Sequence, residues 1–315
     1  MESSHIALPS TQLLVHPLCL GTNVMGYTSS KDESFAVLDA YAAHGGNFVD
    51  TADMYSEWAP GNSGHDSEAI IGAWMKQKGN RDQMIIATKV SKLSTRPGLS
   101  ATNIKAAVEE SLTSLQTDYI DIYYAHADDE TVPLTETLQA FTDLITAGKV
   151  RYIAASNYSG ARLQEAIDIS KANGLSQYTG VQNLYNLLDR NEYESDVVKV
   201  IENNGLWGAP YYGLAKGFLS GKYAPGVTVE SARAAGTVDY QNDRGWAVIE
   251  ALRDIAKSHG CSVSAVSLAW LRAQRGVTTP IASARIASQL EEIVQVVELS
   301  GDELAQLTTL SQLSN

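Results

Sequence analysis

Eight short apolar runs of β character recur along this chain, and amphipathic segments of helical period separate them nearly throughout. The runs are Leu18–Leu20, Asn47–Asp50, Met84–Thr88, Tyr119–Tyr124, Val150–Ala155, Gly180–Asn183, Leu206–Tyr211 and Thr279–Ala282. Between and after them, helical spacing predicts helices over 32–44, 67–76, 102–115, 135–147, 161–173, 195–203, 246–259, 262–275 and 289–296. In 102–115, for example, Ile104, Ala107, Val108, Ser111, Leu112 and Leu115 share one face. Strand followed by helix, repeated, implies parallel pairing through right-handed crossovers. Eight repeats predict an α/β fold of the closed (β/α)8, or TIM-barrel, type. A chain of 315 residues suits one such barrel as a single domain, 1–315. Residues 5–16 read as a short β-hairpin capping the barrel floor, and further helices follow the last strand.

A doubly wound sheet is the structural rival. It calls for Gly-x-Gly-x-x-Gly after the first strand, where this chain has Gly21-Thr-Asn-Val-Met-Gly26. The stretch 220–245 lacks periodicity and carries Pro225, Gly226, Gly236 and Gly245, so it reads as a long functional loop such as a lid.

Composition narrows the class of function. With 36 acidic against 23 basic residues, the formal net charge is −13, which disfavours nucleic acid and anionic membranes as partners. No apolar run nears the ~20 residues of a membrane span. The start, Met1-Glu-Ser-Ser-His5, shows no secretory signal. The two cysteines, Cys19 and Cys261, lie in apolar stretches and read as buried free thiols of a reducing, cytoplasmic setting.

The chemistry gathers at strand ends, where a barrel builds its pocket. Asp50 and Tyr55 follow the second run, Lys89 ends the third and His126 follows the fourth. Singly, each suits a structural role; together, on consecutive strands, they suit a carbonyl-reducing site. Hydride reaching a carbonyl carbon creates an alkoxide that needs a proton. Tyr55 is the proton donor expected, its pKa held below the free value near 10 by Lys89, with Asp50 orienting the ammonium. His126 would donate a hydrogen bond to the carbonyl. Tyr27, Met54 and Trp58 are candidates for the substrate wall. His65 and Asp66 read as the start of a helix capped by Asp66 or Ser67. Asp128, Asp129 and Glu130 read as a solvated rim, since three consecutive acids do not converge on one ion, and no metal is expected.

Gly46-Asn-Phe-Val-Asp50-Thr-Ala-Asp-Met-Tyr55, with Ser67-Glu68 and Gly72, resembles the opening motif of the aldo-keto reductases. Thr88-Lys89, Ala125-His126, Ser156-Asn157 and Val181-Gln182-Asn-Leu-Tyr185-Asn186 are similar to that family's later motifs, and the likeness runs from about residue 12 to 298. Within the family the pattern most resembles the bacterial aryl-alcohol dehydrogenase-like branch. The resemblance implies the same barrel, a catalytic tetrad of Asp50, Tyr55, Lys89 and His126 with Tyr55 as general acid, and NADPH (or NADH) as cofactor. Tyr27 and Trp58, with Tyr55 and His126, are the residues expected to meet the substrate. Ser156, Asn157 and Gln182 match positions that hold the nicotinamide carboxamide, and Tyr211 the aromatic that stacks on the ring. Gly21, Thr22 and Asp50 join these cofactor contacts.

The family's Tyr-Ser-Pro-Leu is Tyr211-Tyr212-Gly213-Leu214 here, and Leu214, Lys216, Gly217 and Lys222 match its pyrophosphate-facing loop. Ser283, Arg285, Gln289 and Glu292 match the adenosine-phosphate site, where the family's usual asparagine after the glutamate is Ile293. Lys216, Lys222 and Arg285 would supply the basic channel that an anionic cofactor needs in so acidic a chain, and Arg285 favours NADPH through its 2′-phosphate. The expected activity is reduction of an aldehyde or ketone to the alcohol. Two rivals share the barrel: a cofactor-sensing regulatory subunit with little turnover, and a Schiff-base lyase using Lys89. The physiological substrate, the dominant direction and the oligomeric state stay open.

Overall fold

A computed structural model describes residues 5–230 and 234–312 of the chain. Strands β1 (Ile6–Ala7) and β2 (Leu14–Val15) pair antiparallel as the expected hairpin. Eight parallel strands follow: β3 (Cys19–Gly21), β4 (Phe48–Asp50), β5 (Ile85–Val90), β6 (Ile120–Ala125), β7 (Val150–Ser156), β8 (Tyr178–Gln182), β9 (Trp207–Gly208) and β10 (Ile281–Ala282). Each pairs with the next in chain order from β3 to β9, and β10 returns beside β3. Backbone bonds from Thr278 N–H to the Gly208 carbonyl (2.8 Å) and from Ile281 N–H to the Pro210 carbonyl (2.9 Å) join the remaining edges. The ring is the predicted (β/α)8 barrel.

The helices are α1 (Lys31–Ala43), α2 (Asp66–Lys78), α3 (Ala101–Leu115), α4 (Leu134–Thr146), α5 (Gly160–Asn173), α6 (Val198–Asn204), α7 (Asp243–His259), α8 (Val263–Arg272), α9 (Ala287–Ile293) and α10 (Gly301–Leu310). Serine caps set many of their starts. Ser30, Ser100, Ser159, Ser262 and Ser300 each accept a bond from a backbone N–H three residues on, and Ser30 and Ser300 complete capping boxes with Glu33 and Glu303. α2 departs from expectation: neither Asp66 nor Ser67 caps it. His65, at φ 63°, holds the cap position without a capping bond to a backbone N–H, its ring pairing instead with the Glu68 side chain (2.5 Å).

Two apolar layers follow from burial on both strand faces. Inside the ring, Phe48, Ile85, Ile122, Tyr124, Trp207 and Ile281 meet Leu8, Leu13 and Val15 of the hairpin, which plugs the floor. Outside it, a larger cluster lies between strands and helices. Trp207 fills the interior because Gly180 leaves it room: a Cβ at position 180 would lie 2.1 Å from the indole. Cys19 is buried in this inner layer, whereas Cys261 is only half-buried, so the expectation of two buried thiols holds for Cys19 alone.

Other differences have local causes. The run 206–211 keeps only Trp207–Gly208 as continuous strand; parallel bonds go on from Ala209 N–H to the Val181 carbonyl (3.0 Å) and from Tyr211 N–H to the Asn183 carbonyl (3.1 Å), but Pro210 has no N–H to give the ladder. α10 was not anticipated by spacing; its face is mostly exposed and only Leu307 is deeply buried. The stretch 220–245 is less irregular than its composition suggests: Ala234–Tyr240 forms 3-10 turns and α7 begins at Asp243. Tyr240 donates to Asp189 (2.6 Å), and a Cβ at Gly236 would approach the Lys216 side chain at 3.1 Å, so this segment lies against the loop after β9. Residues 231–233 of that stretch lie outside the described residues, as do 313–315 and residues 1–4 of the start that reads as lacking a secretory signal. Among the described residues no helix is long and apolar enough to cross a membrane.

Candidate active site

Every strand from β4 to β8 delivers a polar side chain at or just past its C-terminal end: Asp50, Lys89, His126, Ser156 and Gln182. Asp50, His126, Ser156 and Gln182 line one cavity of about 350 Å³, with Gly21, Asn23, Met54, Tyr55, Trp58, Asn157 and Tyr211, and Lys89 lies fully buried behind Asp50 and Tyr55. The centre is a tight charged cluster. Lys89 Nζ donates to Asp50 Oδ2 (2.7 Å), the Thr51 carbonyl (2.7 Å) and the Tyr55 Oη (3.0 Å). Tyr55 O–H in turn donates to Asp50 Oδ2 at 3.3 Å, and Gln182 Nε2 donates to Asp50 Oδ1 at 2.8 Å. The Lys89 and Asp50 side chains are 0% and 2% exposed, so the pair exists without help from water.

These surroundings correct the expected tuning of the phenol. Its pKa is pushed well above the ordinary value, first by burial and then by the Asp50 carboxylate. The Lys89 charge is spent on Asp50 at closer range, so it does not pull the phenol down. Tyr55 is therefore held protonated, which suits an acid rather than a base. Burial also lowers the Lys89 pKa, against the opposing pull of Asp50. His126 is driven well below 6.5 by burial and then by the Lys89 and Lys92 charges, which makes it a neutral imidazole near pH 7. Its ring centroid lies 6.0 Å from that of Tyr55, and its Nδ1 is buried without a protein partner.

The amides around the cluster are fixed in place. Asn157, at φ 57°, donates through Nδ2 to the His126 carbonyl (2.8 Å) and to Ser156 Oγ (3.0 Å), and accepts from the Tyr211 O–H (2.8 Å). Beyond Tyr211, residues Leu214, Lys216, Gly217 and Ser283 line both this cavity and a neighbouring one of about 360 Å³ that holds Lys222, Arg285, Gln289, Glu292 and Ile293. The two form a groove from Tyr55 to Arg285. Consecutive positive φ at Ala215, Lys216 and Gly217 (45°, 57°, 97°) turn the loop that bounds it.

The sequence-predicted residues thus converge, with two exceptions. Thr22 is fully buried and lines neither cavity; its hydroxyl donates to the Asp50 carbonyl (2.9 Å) and accepts from Ser67 (2.8 Å). Tyr27 is likewise not a wall of the cavity, but stands edge-on to Trp58 at 6.0 Å. Sequence reasoning missed Asn23, Lys92 and Tyr212 as lining residues. Each lies two or three residues beyond a strand end, or beside Tyr211, and reading every strand–helix loop as cavity rim would have found them. The acidic run after His126 has structural work: Asp128 pairs with Arg162 (2.8 Å) and Asp129 accepts from the Leu99 N–H (2.8 Å). Lys89 is poorly placed for a Schiff base, since all three of its donors are engaged and its nitrogen is buried.

A barrel of this topology, with an acid–amine–phenol cluster at its mouth and a long polar groove beside it, defines an oxidoreductase scaffold. Comparison with known proteins agrees: residues 17–312 match the aldo/keto reductase family, and the chain belongs to that family. Its relatives include Protein tas of Escherichia coli, 30% identical over 97% of both chains. Uncharacterized oxidoreductase YrpG of Bacillus subtilis is 32% identical, over 94% of this chain and 91% of YrpG. Norsolorinic acid reductase stcV of Emericella nidulans is 30% identical, over 95% of this chain and 79% of its own. These likenesses agree with the aryl-alcohol dehydrogenase-like branch. The family's members generally use nicotinamide cofactors.

Proposed function

We propose that this chain reduces an aldehyde or ketone to the alcohol, with NADPH as reductant and Tyr55 as general acid. The observation that carries the reading is the Lys89–Asp50–Tyr55 cluster, in which a half-buried phenol at the cavity wall is kept protonated 3.0 Å from a buried ammonium. The groove supports a dinucleotide. Its inner end offers amide and hydroxyl groups with bonding capacity left over, on Ser156, Asn157 and Gln182, beside the Tyr211 ring. Its outer end offers Lys216, Lys222 and Arg285. Arg285 makes no ion pair among the described residues, which supports NADPH over NADH, because a 2′-phosphate would complete it. When bound, the reduced nicotinamide supplies hydride to the carbonyl carbon.

The protein's own groups manage the oxygen. Tyr55 O–H turns from Asp50 to the developing alkoxide and gives up its proton. The phenolate left behind faces Lys89, and Asp50 keeps that lysine charged through the exchange. A neutral His126 donates a hydrogen bond to the same oxygen and so sets which face of the carbonyl is presented. A phenol that starts protonated is ready to act as the acid of the reduction step. A panel of aldehydes and ketones assayed with NADPH and NADH side by side, with cofactor binding followed by fluorescence, tests the reading. Turnover with an NADPH preference is expected. Tight cofactor binding with no turnover on any carbonyl would replace the reductase with a cofactor sensor.

A further inference from the structure

Lys92 is the one wall residue of the catalytic cavity that neither the tetrad nor the cofactor groove employs as a charge. It lies three residues past Lys89, just beyond Ser91, whose φ of 122° turns the chain at the end of β5. It lines the same cavity as Tyr55, Trp58 and His126, whereas Arg285 and Lys222 line the neighbouring one. Among the described residues it makes no ion pair or hydrogen bond, although the chain carries 36 acidic side chains. The carboxylate of that cavity, Asp50, is spent on Lys89, Gln182 and Tyr55. Lys92 is exposed to solvent at the rim of the cavity, and the desolvation it does undergo and the Lys89 charge both lower its pKa. It also acts on His126, where its charge helps keep the imidazole neutral. A cation left unpaired beside the reacting groups is stabilised when an anion enters the cavity.

We infer that Lys92 is a specificity residue and that the preferred substrates are aldehydes or ketones carrying an anionic group, a carboxylate foremost, on an apolar or aromatic body. Trp58, Met54 and Tyr212 supply the surface for that body, and Lys92 the counter-charge. The inference rests on the carbonyl-reductase reading. It also explains how an enzyme with net charge −13 would attract an acidic substrate: the local cation works at contact distance, where the screened global field does not reach.

The test compares 4-carboxybenzaldehyde with its methyl ester, at matched ionic strength, in the wild-type enzyme and in Lys92→Met and Lys92→Arg. The readout is the ratio of kcat/KM for the acid to that for the ester. The wild type is expected to favour the acid, Lys92→Met to lower the ratio about tenfold and mainly through KM, and Lys92→Arg to keep most of it. Added salt should erode the preference in the wild type and leave Lys92→Met indifferent. Reduction of both aldehydes with a ratio that ignores Lys92→Met overturns the inference and leaves the reductase intact. If neither aldehyde turns over, the wider carbonyl panel still decides on the reductase reading. In that event benzoate and benzamide binding to the protein with NADPH decides on Lys92 alone: selective benzoate binding lost in Lys92→Met upholds the anion site, and equal binding rejects it.

Discussion

Replacing Asp50 by asparagine removes the anion that makes a buried lysine tolerable. In the native protein Lys89 is fully buried and has one carboxylate within reach, at 2.7 Å. Its other two acceptors, the Thr51 carbonyl and the Tyr55 oxygen, are neutral. Asparagine keeps the shape and can still bond one neighbour, but it leaves an ammonium without a counter-charge in a site closed to water. Breaking one partner of such a pair costs about 3–5 kcal/mol. With a urea slope of about 3 kcal/mol per molar, the unfolding midpoint should fall by roughly 1 M or more. Lys89→Met alone should also destabilise, because Asp50 is then the unpaired charge. The double variant Asp50→Asn/Lys89→Met has neither charge and should lose less than the sum of the two, by at least about 1 kcal/mol. Urea unfolding followed by tryptophan fluorescence, for the four proteins at pH 7.5, supplies the cycle. Losses that add to within about 0.5 kcal/mol would refute the idea that the pair is held by mutual charge.

Further outcomes follow from single features. Arg285→Ala should weaken NADPH binding by about 10–100-fold while leaving NADH nearly unchanged, as read by cofactor fluorescence; an equal loss for both would mean that Arg285 does not read the 2′-phosphate. Asp53 is held at about 7 by burial and then by the nearby Glu68, the Met54 N–H offsetting only part of the shift, and no side chain bonds its oxygens. The unfolded chain ionises this acid near pH 4, whereas the fold keeps it protonated to about 7, so stability falls as pH rises between those values and then levels, by up to about 4 kcal/mol. Asp53→Asn should accordingly raise the urea midpoint at pH 8 relative to wild type and converge with it at pH 4; a pH-independent difference would contradict this. Gly180→Ala places a methyl 2.1 Å from the Trp207 ring and should cost about 1–3 kcal/mol by displacing that indole, visible as a lower unfolding temperature; an unchanged value would show the inner core to be adaptable.

The barrel was legible in the sequence because parallel strands buried on both faces read as unbroken apolar runs, and the serine-capped helices keep one apolar face. Boundaries drifted where tertiary bonds rather than pattern decide them. β9 shortens to two residues because Pro210 has no N–H to give the ladder, and α10 leaves little apolar pattern because it buries little. The tetrad and the groove were legible for a geometric reason: strand ends converge, so residues distant in sequence become neighbours. What periodicity could not convey is the sign of a pKa shift. Whether Tyr55 feels Lys89 or Asp50 more strongly depends on which atom lies closer and on how dry the cavity is. Thr22 shows the same limit, since its position after β3 matches the cofactor contacts while its hydroxyl points to Asp50 and Ser67.

Tyr55→Phe tests the central claim most directly, because it deletes one oxygen and keeps the ring beside Trp58 and His126. Steady-state reduction of an accepted aldehyde and NADPH affinity are measured on the same preparation. If Tyr55 is the acid, kcat falls by about 10²–10⁴-fold while the NADPH dissociation constant stays within about twofold. Near-normal turnover in that variant would contradict the account and require another proton donor in the cavity.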